Sequence, residues 1–276
     1  MSKNINNENF PVGKFIKKSL RPLVWTYYSA AREADDIADS AKFSVSEKNS
    51  KLDNCYKDFM AADSNSSSGK LGKIFASEQL DYRLYTDLLE AFRKDVNGFK
   101  VDIWEQLLDY CHYSAAPVGR FMLAIHNQSP ATYIPAEILC TVLQITNHLQ
   151  DLKSDACKLK RCYIPQELLQ KYHVRITDFC LQQSSKNVKL LIDEIVLRLQ
   201  AMLSDAGILI KLISDCRLRS EVAIIFSLTN SMLKKIKKWD VISHTLHLSS
   251  WDWLKAIIYG IWSGVFVRSE SCNIIK

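Results

Sequence analysis

Four polar residues near the start of the chain repeat at helical spacing and could bind a metal and phosphate. Tyr28, Arg32, Asp35 and Asp39 follow one another at intervals of four, three and four residues. At 3.6 residues per turn, their side chains project from a strip of helix about 60° wide. Asp36 lies beside this strip. The apolar residues of the segment occupy another face, so the strip is a candidate site and not simply the outer half of a surface helix.

A second acidic segment with similar geometry lies in the middle of the chain. Gln144, Asn147, Asp151 and Asp155 are spaced by three, four and four residues. This spacing places them on one face of a predicted helix. A basic and aromatic turn, residues 158–165, follows the helix and brings an arginine close to its end.

Together the two segments favour a Mg²⁺–diphosphate site. Carboxylates four residues apart on a helix repel each other weakly, so two such pairs, each beside an arginine, indicate a cation between them. Oxygen ligands without nearby Cys or His are typical of Mg²⁺. Phosphate oxygens and water then complete the coordination of the metal. Arg32 and Arg161 would bind the phosphate groups. The alternative is a pair of solvated acidic helices, because a single Asp-x-x-x-Asp spacing is common on helix surfaces.

The elements that must position these residues are helices. Apolar residues repeat with a 3.6-residue period, no segment alternates as a strand would, and Gly (8) and Pro (6) are scarce. The predicted helices span residues 22–40, 45–61, 77–96, 102–127, 135–156, 166–172, 186–205, 208–214, 218–237 and 251–266. A serine-rich patch, residues 63–69, is predicted to be a surface loop. The sequence therefore predicts an all-α fold of roughly ten helices in one domain, residues 1–276.

The composition excludes several classes of function. The formal charge, 36 − 30 = +6, is a mild basic excess, and no basic face or motif typical of nucleic-acid binding accompanies it. The polar first residues do not resemble a signal peptide, and no apolar run is long enough to cross a membrane. The nearest, residues 256–267, is predicted to be a buried core helix, and the alternative is a helix lying at a membrane surface.

The eight cysteines include no Cys-x-x-Cys pair. Cys111, Cys140, Cys180 and Cys216 lie in apolar sequence, which favours reduced thiols that pack as small hydrophobic groups. We therefore expect a cytoplasmic protein. Peripheral contact with the membrane surface is a further expectation.

Three segments resemble the motifs of the squalene/phytoene synthase family. Residues 28–39 (YSAAREADDIAD) resemble its first aspartate-rich motif. Residues 147–155 (NHLQDLKSD), followed by residues 161–165 (RCYIP), resemble the second. Residues 110–120 (YCHYSAAPVGR) resemble the central-helix segment between them. The order and spacing also match, and the resemblance extends over nearly the whole chain.

This resemblance implies an all-α isoprenoid synthase fold with the active site at the centre of the bundle. It also implies Mg²⁺ as cofactor, a prenyl diphosphate as substrate and a carbocation mechanism. The implied metal ligands are Asp35, Asp39, Asn147, Asp151 and Asp155. The implied substrate-binding residues are Tyr28, Arg32, Gln144, Arg161 and Tyr163, and the implied catalytic residues are Tyr110, Arg32, Arg161 and Tyr163. For Tyr110, a core tyrosine with a satisfied hydroxyl is an equal alternative.

Three details resemble the hydroxysqualene synthase branch of the family, found in bacterial hopanoid pathways: residues 8–12, residues 117–120 (PVGR) and the segment 239–252. The branch implies that presqualene diphosphate loses diphosphate and that water captures the rearranged cation, giving hydroxysqualene without NADPH. The sequence departs from the family at Lys160, where a glycine often precedes the arginine of the second motif. It departs again at Pro117, which is predicted to kink the central helix.

Two other functions stay open at the level of sequence. A condensing enzyme of the same fold, joining two prenyl diphosphates into presqualene diphosphate, squalene or phytoene, would need the same aspartates. A non-catalytic family member would act as an assembly or interaction protein, and the presence of every motif aspartate and arginine speaks against it. For either enzyme, the expected partners are a prenyl diphosphate substrate and the neighbouring enzymes of squalene biosynthesis.

Overall fold

The chain folds into helices joined by short connections. The computed structural model describes residues 15–267, and within that span it contains twelve α-helices and no strand, which confirms the predicted all-α class. The helices are α1 (Arg21–Asp39), α2 (Val45–Ala61), α3 (Ser67–Ser77), α4 (Arg83–Val96), α5 (Trp104–Ser114), α6 (Ala116–Ile125), α7 (Tyr133–Ser154), α8 (Gln166–Lys171), α9 (Lys186–Ala206), α10 (Leu209–Leu212), α11 (Cys216–Lys238) and α12 (Ser250–Phe266). A π-helical turn, Asp155–Leu159, continues α7. Residues 8–12, which resemble the start of the branch, lie outside the described residues.

Helices α1 and α7, which carry the two acidic segments, are fixed by different parts of the core. Helix α7 packs against α5, α6, α9 and α11, whereas α1 packs against α2, α3 and α4. On α1, the ring of Tyr27 stacks on Phe121 of α6 with centroids 4.1 Å apart, and its hydroxyl donates to the Leu84 carbonyl at 2.6 Å. Together with buried Ala30 and Ala34, these contacts fix the rotation of α1 and leave its polar strip outside the core.

The serine-rich patch is not wholly a loop, because α3 begins within it. The Ser66 side chain accepts a hydrogen bond from a backbone N–H of the first turn and caps the helix. Phe75, farther along α3, is completely buried, so burial outweighs the low helix propensity of the serines. The helix predicted over residues 77–96 is shorter in the structure, where α3 ends at Ser77 and α4 begins at Arg83.

The central motif spans the break between α5 and α6. Pro117 occupies the first turn of α6, and the helix is interrupted just before it, as the predicted kink required. Gly119 faces α7, where an added Cβ would lie 2.6 Å from the Cys140 sulfur, so the close approach of α6 to α7 depends on glycine. Arg120 pairs with Glu137 of α7 at 2.7 Å. The motif therefore joins α6 to α7.

The prediction that the cysteines are reduced is wrong for one pair. Cys157, in the π-helical turn, forms a disulfide with Cys180, which lies 23 residues farther along the chain. No local pattern predicts this contact, because α8 lies between the two cysteines in the chain. Cys111 and Cys140 are free thiols, as expected, but Cys216 is exposed at the start of α11 and not in apolar surroundings.

The prediction that the last apolar helix is buried is also wrong. Helix α12 packs against α11, yet only Ala256, Gly260 and Ser263 are buried along it. A single sequence does not tell which face of an apolar helix meets the core, and here the small residues do so. Among the described residues, no helix is long and apolar enough to cross a membrane.

Candidate active site

The first acidic segment lies on α1 and is organised around its arginine. Arg32 pairs with Asp35 and with Asp36, in each case at 2.8 Å. Tyr28 is half-buried one turn earlier on the same strip. Asp39 is the last residue of α1, and its side chain is 36% exposed. The strip predicted from the sequence is therefore an accessible polar face on a continuous helix.

The second acidic segment crosses from α7 into the π-helical turn. Gln144, Asn147 and Asp151 lie on α7, and Asp155 is the first residue of the turn. A π-turn contains an extra residue per hydrogen-bonded ring, so it changes the direction in which the following residues leave the helix. The turn ends at Lys160, which has a φ of 56°, in the left-handed region that favours glycine.

A direct contact brings the ends of the two segments together. The Arg161 guanidinium donates to the Asp39 carboxylate at 2.5 Å and to the Ala38 carbonyl at 3.1 Å. These residues are more than a hundred positions apart in the chain, so the contact depends on the whole fold. Arg161, predicted to bind phosphate, is paired with a predicted metal ligand in this structure.

The carboxylates of the site are crowded and incompletely neutralised. Burial, followed by repulsion from Asp39, raises the pKa of Asp35 to about 7. Burial, followed by repulsion from Asp151 and Asp39, raises the pKa of Asp155 to about 7 as well. A cation bound between these carboxylates would stabilise their ionised forms.

The donor set fits Mg²⁺ in type and charge, although it is not a preformed cage. Among residues 15–267, no three acidic, His or Cys side chains converge closely enough to hold a metal by themselves. Mg²⁺ binds through a few carboxylates and takes its other ligands from water and phosphate oxygens, so a complete protein cage is not needed.

An aromatic wall borders the site next to Arg161, which interacts electrostatically with Tyr163 and Asp95 of this wall. The Tyr110 hydroxyl donates to Asp95 of α4 at 2.8 Å, and its ring stacks on Phe99. Tyr163 lies 5.4 Å from Tyr110 between ring centroids and stacks on His148 at 3.8 Å. The structure therefore brings Tyr110 and Tyr163, both predicted site residues, into one cluster.

Three members of this wall are absent from the sequence prediction. Asp95 and Phe99 follow no spacing that points to a site, because they lie at and beyond the end of an ordinary amphipathic helix. His148 lies between predicted ligands and could have been noticed there. Burial lowers the pKa of His148 to about 3, so its ring is neutral at ordinary pH, and it approaches Gln144 at 3.4 Å.

Comparison with known proteins agrees with this architecture. A chain 33% identical over 256 residues, covering 92% of this chain and 87% of the relative, is the hydroxysqualene synthase of Sinorhizobium fredii. The presqualene diphosphate synthase of Zymomonas mobilis is 29% identical over 171 residues, covering 60% of this chain and 58% of the relative. The crystal structure of squalene synthase HpnC from Alicyclobacillus acidocaldarius superposes with a TM-score of 0.74 at 28% identity, covering 82% of this chain and 86% of that one.

The helical fold is that of the all-α isoprenoid synthases, and a dehydrosqualene synthase structure shares this fold with a TM-score of 0.77 at 20% identity. The sequence model of the squalene/phytoene synthases matches residues 6–252. The chain belongs to the squalene/phytoene synthase family and is an enzyme of that type.

Proposed function

We propose that this enzyme ionises presqualene diphosphate and lets water capture the resulting cation, giving hydroxysqualene and diphosphate without NADPH. The observation that carries the proposal is the contact between Arg161 and Asp39, which holds the ends of the two acidic segments together. A site of this composition would bind both a cation and a diphosphate. The choice of reaction is supported by the hydroxysqualene synthase relative, which aligns with 92% of this chain, against 60% for the presqualene diphosphate synthase.

In this proposal the polar end of the site binds the departing diphosphate. Mg²⁺, when bound, would neutralise the charge that develops on the leaving group. Its ligands would be Asp35, Asp39, Asn147, Asp151 and Asp155. Arg32 and Arg161 would exchange their carboxylate partners for phosphate oxygens, because a guanidinium binds either group through paired N–H donors.

The aromatic wall would act on the hydrocarbon end. The carbon–oxygen bond breaks with both electrons leaving on diphosphate, and the cyclopropylcarbinyl cation rearranges. The ring of Tyr163, which is partly exposed, would stabilise that cation, and Tyr110, which is buried beside it, would support that ring. Water then forms the new carbon–oxygen bond and loses a proton, which balances the reaction. Tyr28 and Gln144 would line the substrate site between the two ends.

A product assay separates this reaction from head-to-head condensation, which would use the same residues. Purified protein with Mg²⁺ and no NADPH receives either presqualene diphosphate or farnesyl diphosphate, and lipid extracts are analysed by mass spectrometry. Hydroxysqualene from the first substrate and no product from the second is the expected result. Presqualene diphosphate or a C30 hydrocarbon from farnesyl diphosphate would make the protein a condensing enzyme.

The site assignment has its own test with a matched control. Asp35→Asn and Asp151→Asn should each abolish turnover while the circular dichroism spectrum stays that of the wild type. Asp205→Asn, an exposed aspartate on α9, should retain full turnover. A folded Asp35→Asn or Asp151→Asn variant with wild-type turnover would contradict the assignment.

The proposed chemistry also defines the neighbouring reactions. The substrate must come from an enzyme that condenses two prenyl diphosphates, and the product must pass to an enzyme that acts on a triterpene alcohol. Both the substrate chains and the product are poorly soluble in water, so transfer between these enzymes has to avoid the bulk solvent.

A further inference from the structure

Helix α12 packs against α11 through its smallest residues. Ala256, Gly260 and Ser263 form its buried side. An added Cβ at Gly260 would lie 2.4 Å from a side-chain carbon of Ile224 on α11, so the two helices are in close contact. Trp253 packs against the same part of α11, and most of the other large side chains of α12 are directed away from the protein.

The outward face of α12 is apolar along its whole length. Its exposed members are Trp251, Leu254, Ile258, Ile261, Trp262, Val265 and Phe266. Trp251 is 69% exposed, Val265 68% and Ile258 59%. At 3.6 residues per turn, Leu254, Ile258, Ile261 and Val265 lie within about 60° of one another, opposite the buried side. Polar residues occupy this position on an ordinary surface helix, and a continuous apolar patch marks an interaction site.

Cationic side chains border this face on one side. Lys255 of α12 and Lys234 and Lys238 of α11 line a single groove together with Trp239. On the helical wheel, Lys255 lies within about 40° of Trp251 and Trp262, so the basic edge adjoins the two tryptophans. Lys235, in the same groove, is already paired with Asp252 at 3.1 Å and contributes less charge.

We propose that α12 and the end of α11 form a docking surface for an anionic lipid bilayer. Apolar residues flanked by tryptophan and lysine are the composition of helices that lie in the membrane interface. The basic edge complements anionic headgroups, whereas a second copy of this chain would bring another basic edge against it. Helix α12 has 17 residues and one side fixed to α11, so it would lie flat in the headgroup region.

This inference goes beyond the proposed reaction and does not depend on it. A condensing enzyme with the same surface would dock in the same way. Under the proposed function, docking would bring the enzyme to substrate dissolved in the membrane.

Vesicle flotation of the full-length protein, without substrate, tests the surface. The protein should float with vesicles of phosphatidylcholine and phosphatidylglycerol, and less with phosphatidylcholine alone. Ile258→Glu/Val265→Glu, which places two charges seven residues apart on the outward face, should reduce bound protein at least about tenfold. Lys234→Gln/Lys238→Gln/Lys255→Gln should remove the preference for anionic vesicles and the sensitivity to salt.

A matched control separates the surface from a general effect of charge. Leu190→Glu/Leu197→Glu adds the same two charges at the same spacing on α9, where both leucines are exposed, and should float like the wild type. Circular dichroism checks that each variant is folded. Equal flotation of the α12 variant and the wild type would overturn the proposal. Failure of the wild type to float with either kind of vesicle would also overturn it. If light scattering showed that the wild type is a dimer and the α12 variant is not, the face would be assigned to contact with a second copy of the chain.

Discussion

At the residue scale, Tyr110 is held by a buried carboxylate as well as by its ring contacts. Its hydroxyl donates to Asp95, whose pKa is raised to about 6 by burial even though this hydrogen bond lowers it. Tyr110→Phe would keep the ring but leave Asp95 with Tyr163 as its remaining hydroxyl partner. We expect the variant to lose about 1–3 kcal/mol in free energy of unfolding, measured by urea denaturation, and to keep most of its turnover, because the aromatic ring remains.

The double variant separates the hydrogen bond from the ring. Asp95→Asn removes the charge that needs the donor, so Tyr110→Phe/Asp95→Asn should be more stable than the sum of the two single changes predicts. Strictly additive losses would show that the Tyr110–Asp95 contact contributes nothing specific to stability.

At the same scale, Lys160 occupies a backbone conformation that suits glycine better. Its φ of 56° costs a non-glycine residue about 1 kcal/mol. Lys160→Gly should therefore raise the free energy of unfolding by up to about 1 kcal/mol and leave turnover nearly unchanged. Lys158→Gly, inside the π-helical turn, should have the opposite sign, because glycine weakens helical turns. If both substitutions destabilise equally in chemical denaturation, the conformation of Lys160 is not strained.

At the element scale, the disulfide between Cys157 and Cys180 ties the π-helical turn to the segment before α9. The turn carries Asp155, so the bond restrains one end of the second acidic segment. Cys157→Ser/Cys180→Ser should lower the free energy of unfolding by about 3 kcal/mol, because a cross-link restricts the unfolded chain. Urea denaturation with and without reductant measures the contribution of the bond. Reductant should destabilise the wild type and should have no effect on the variant.

Thiol titration provides the control for this bond. Unfolded wild-type protein should gain two reactive thiols on reduction, whereas the double variant should gain none. Cys216→Ser, at an exposed free thiol, should leave stability unchanged. If the wild type gains no thiols on reduction, the two cysteines are not bonded in solution.

At the scale of the whole molecule, local spacing predicted the helices better than the surroundings of the site. The acidic strips were visible because their residues recur at helical intervals within one element. Asp95 and Phe99 reach Tyr110 only through the packing of α4 beside α5, which no local pattern encodes. The outward orientation of α12 was equally hidden, because its residues are apolar on nearly every side and only packing decides which of them are buried.

The crowded carboxylates give the whole protein a predicted dependence on pH. For Asp35 and Asp155, the pKa in the folded protein is about 7, against an ordinary value of 3.8. Across that window the folded state binds more protons than the unfolded state, so stability falls as the pH rises. His148 acts in the opposite direction, because its lowered pKa makes stability fall as the pH drops below its ordinary value of 6.5.

The two effects oppose each other up to about pH 6.5, above which His148 no longer contributes, while Asp35 and Asp155 continue to lose protons up to and slightly beyond their pKa of about 7. Without metal, the melting temperature should therefore fall between about pH 6.5 and pH 8. Asp35→Asn/Asp155→Asn should flatten this decline, since an amide has no proton to lose. Mg²⁺ should also flatten it in the wild type, because a cation stabilises the ionised carboxylates, and should do so much less in the variant. Calorimetric melting at several pH values checks both effects, and an identical decline in wild type and variant would show that other groups set the pH dependence.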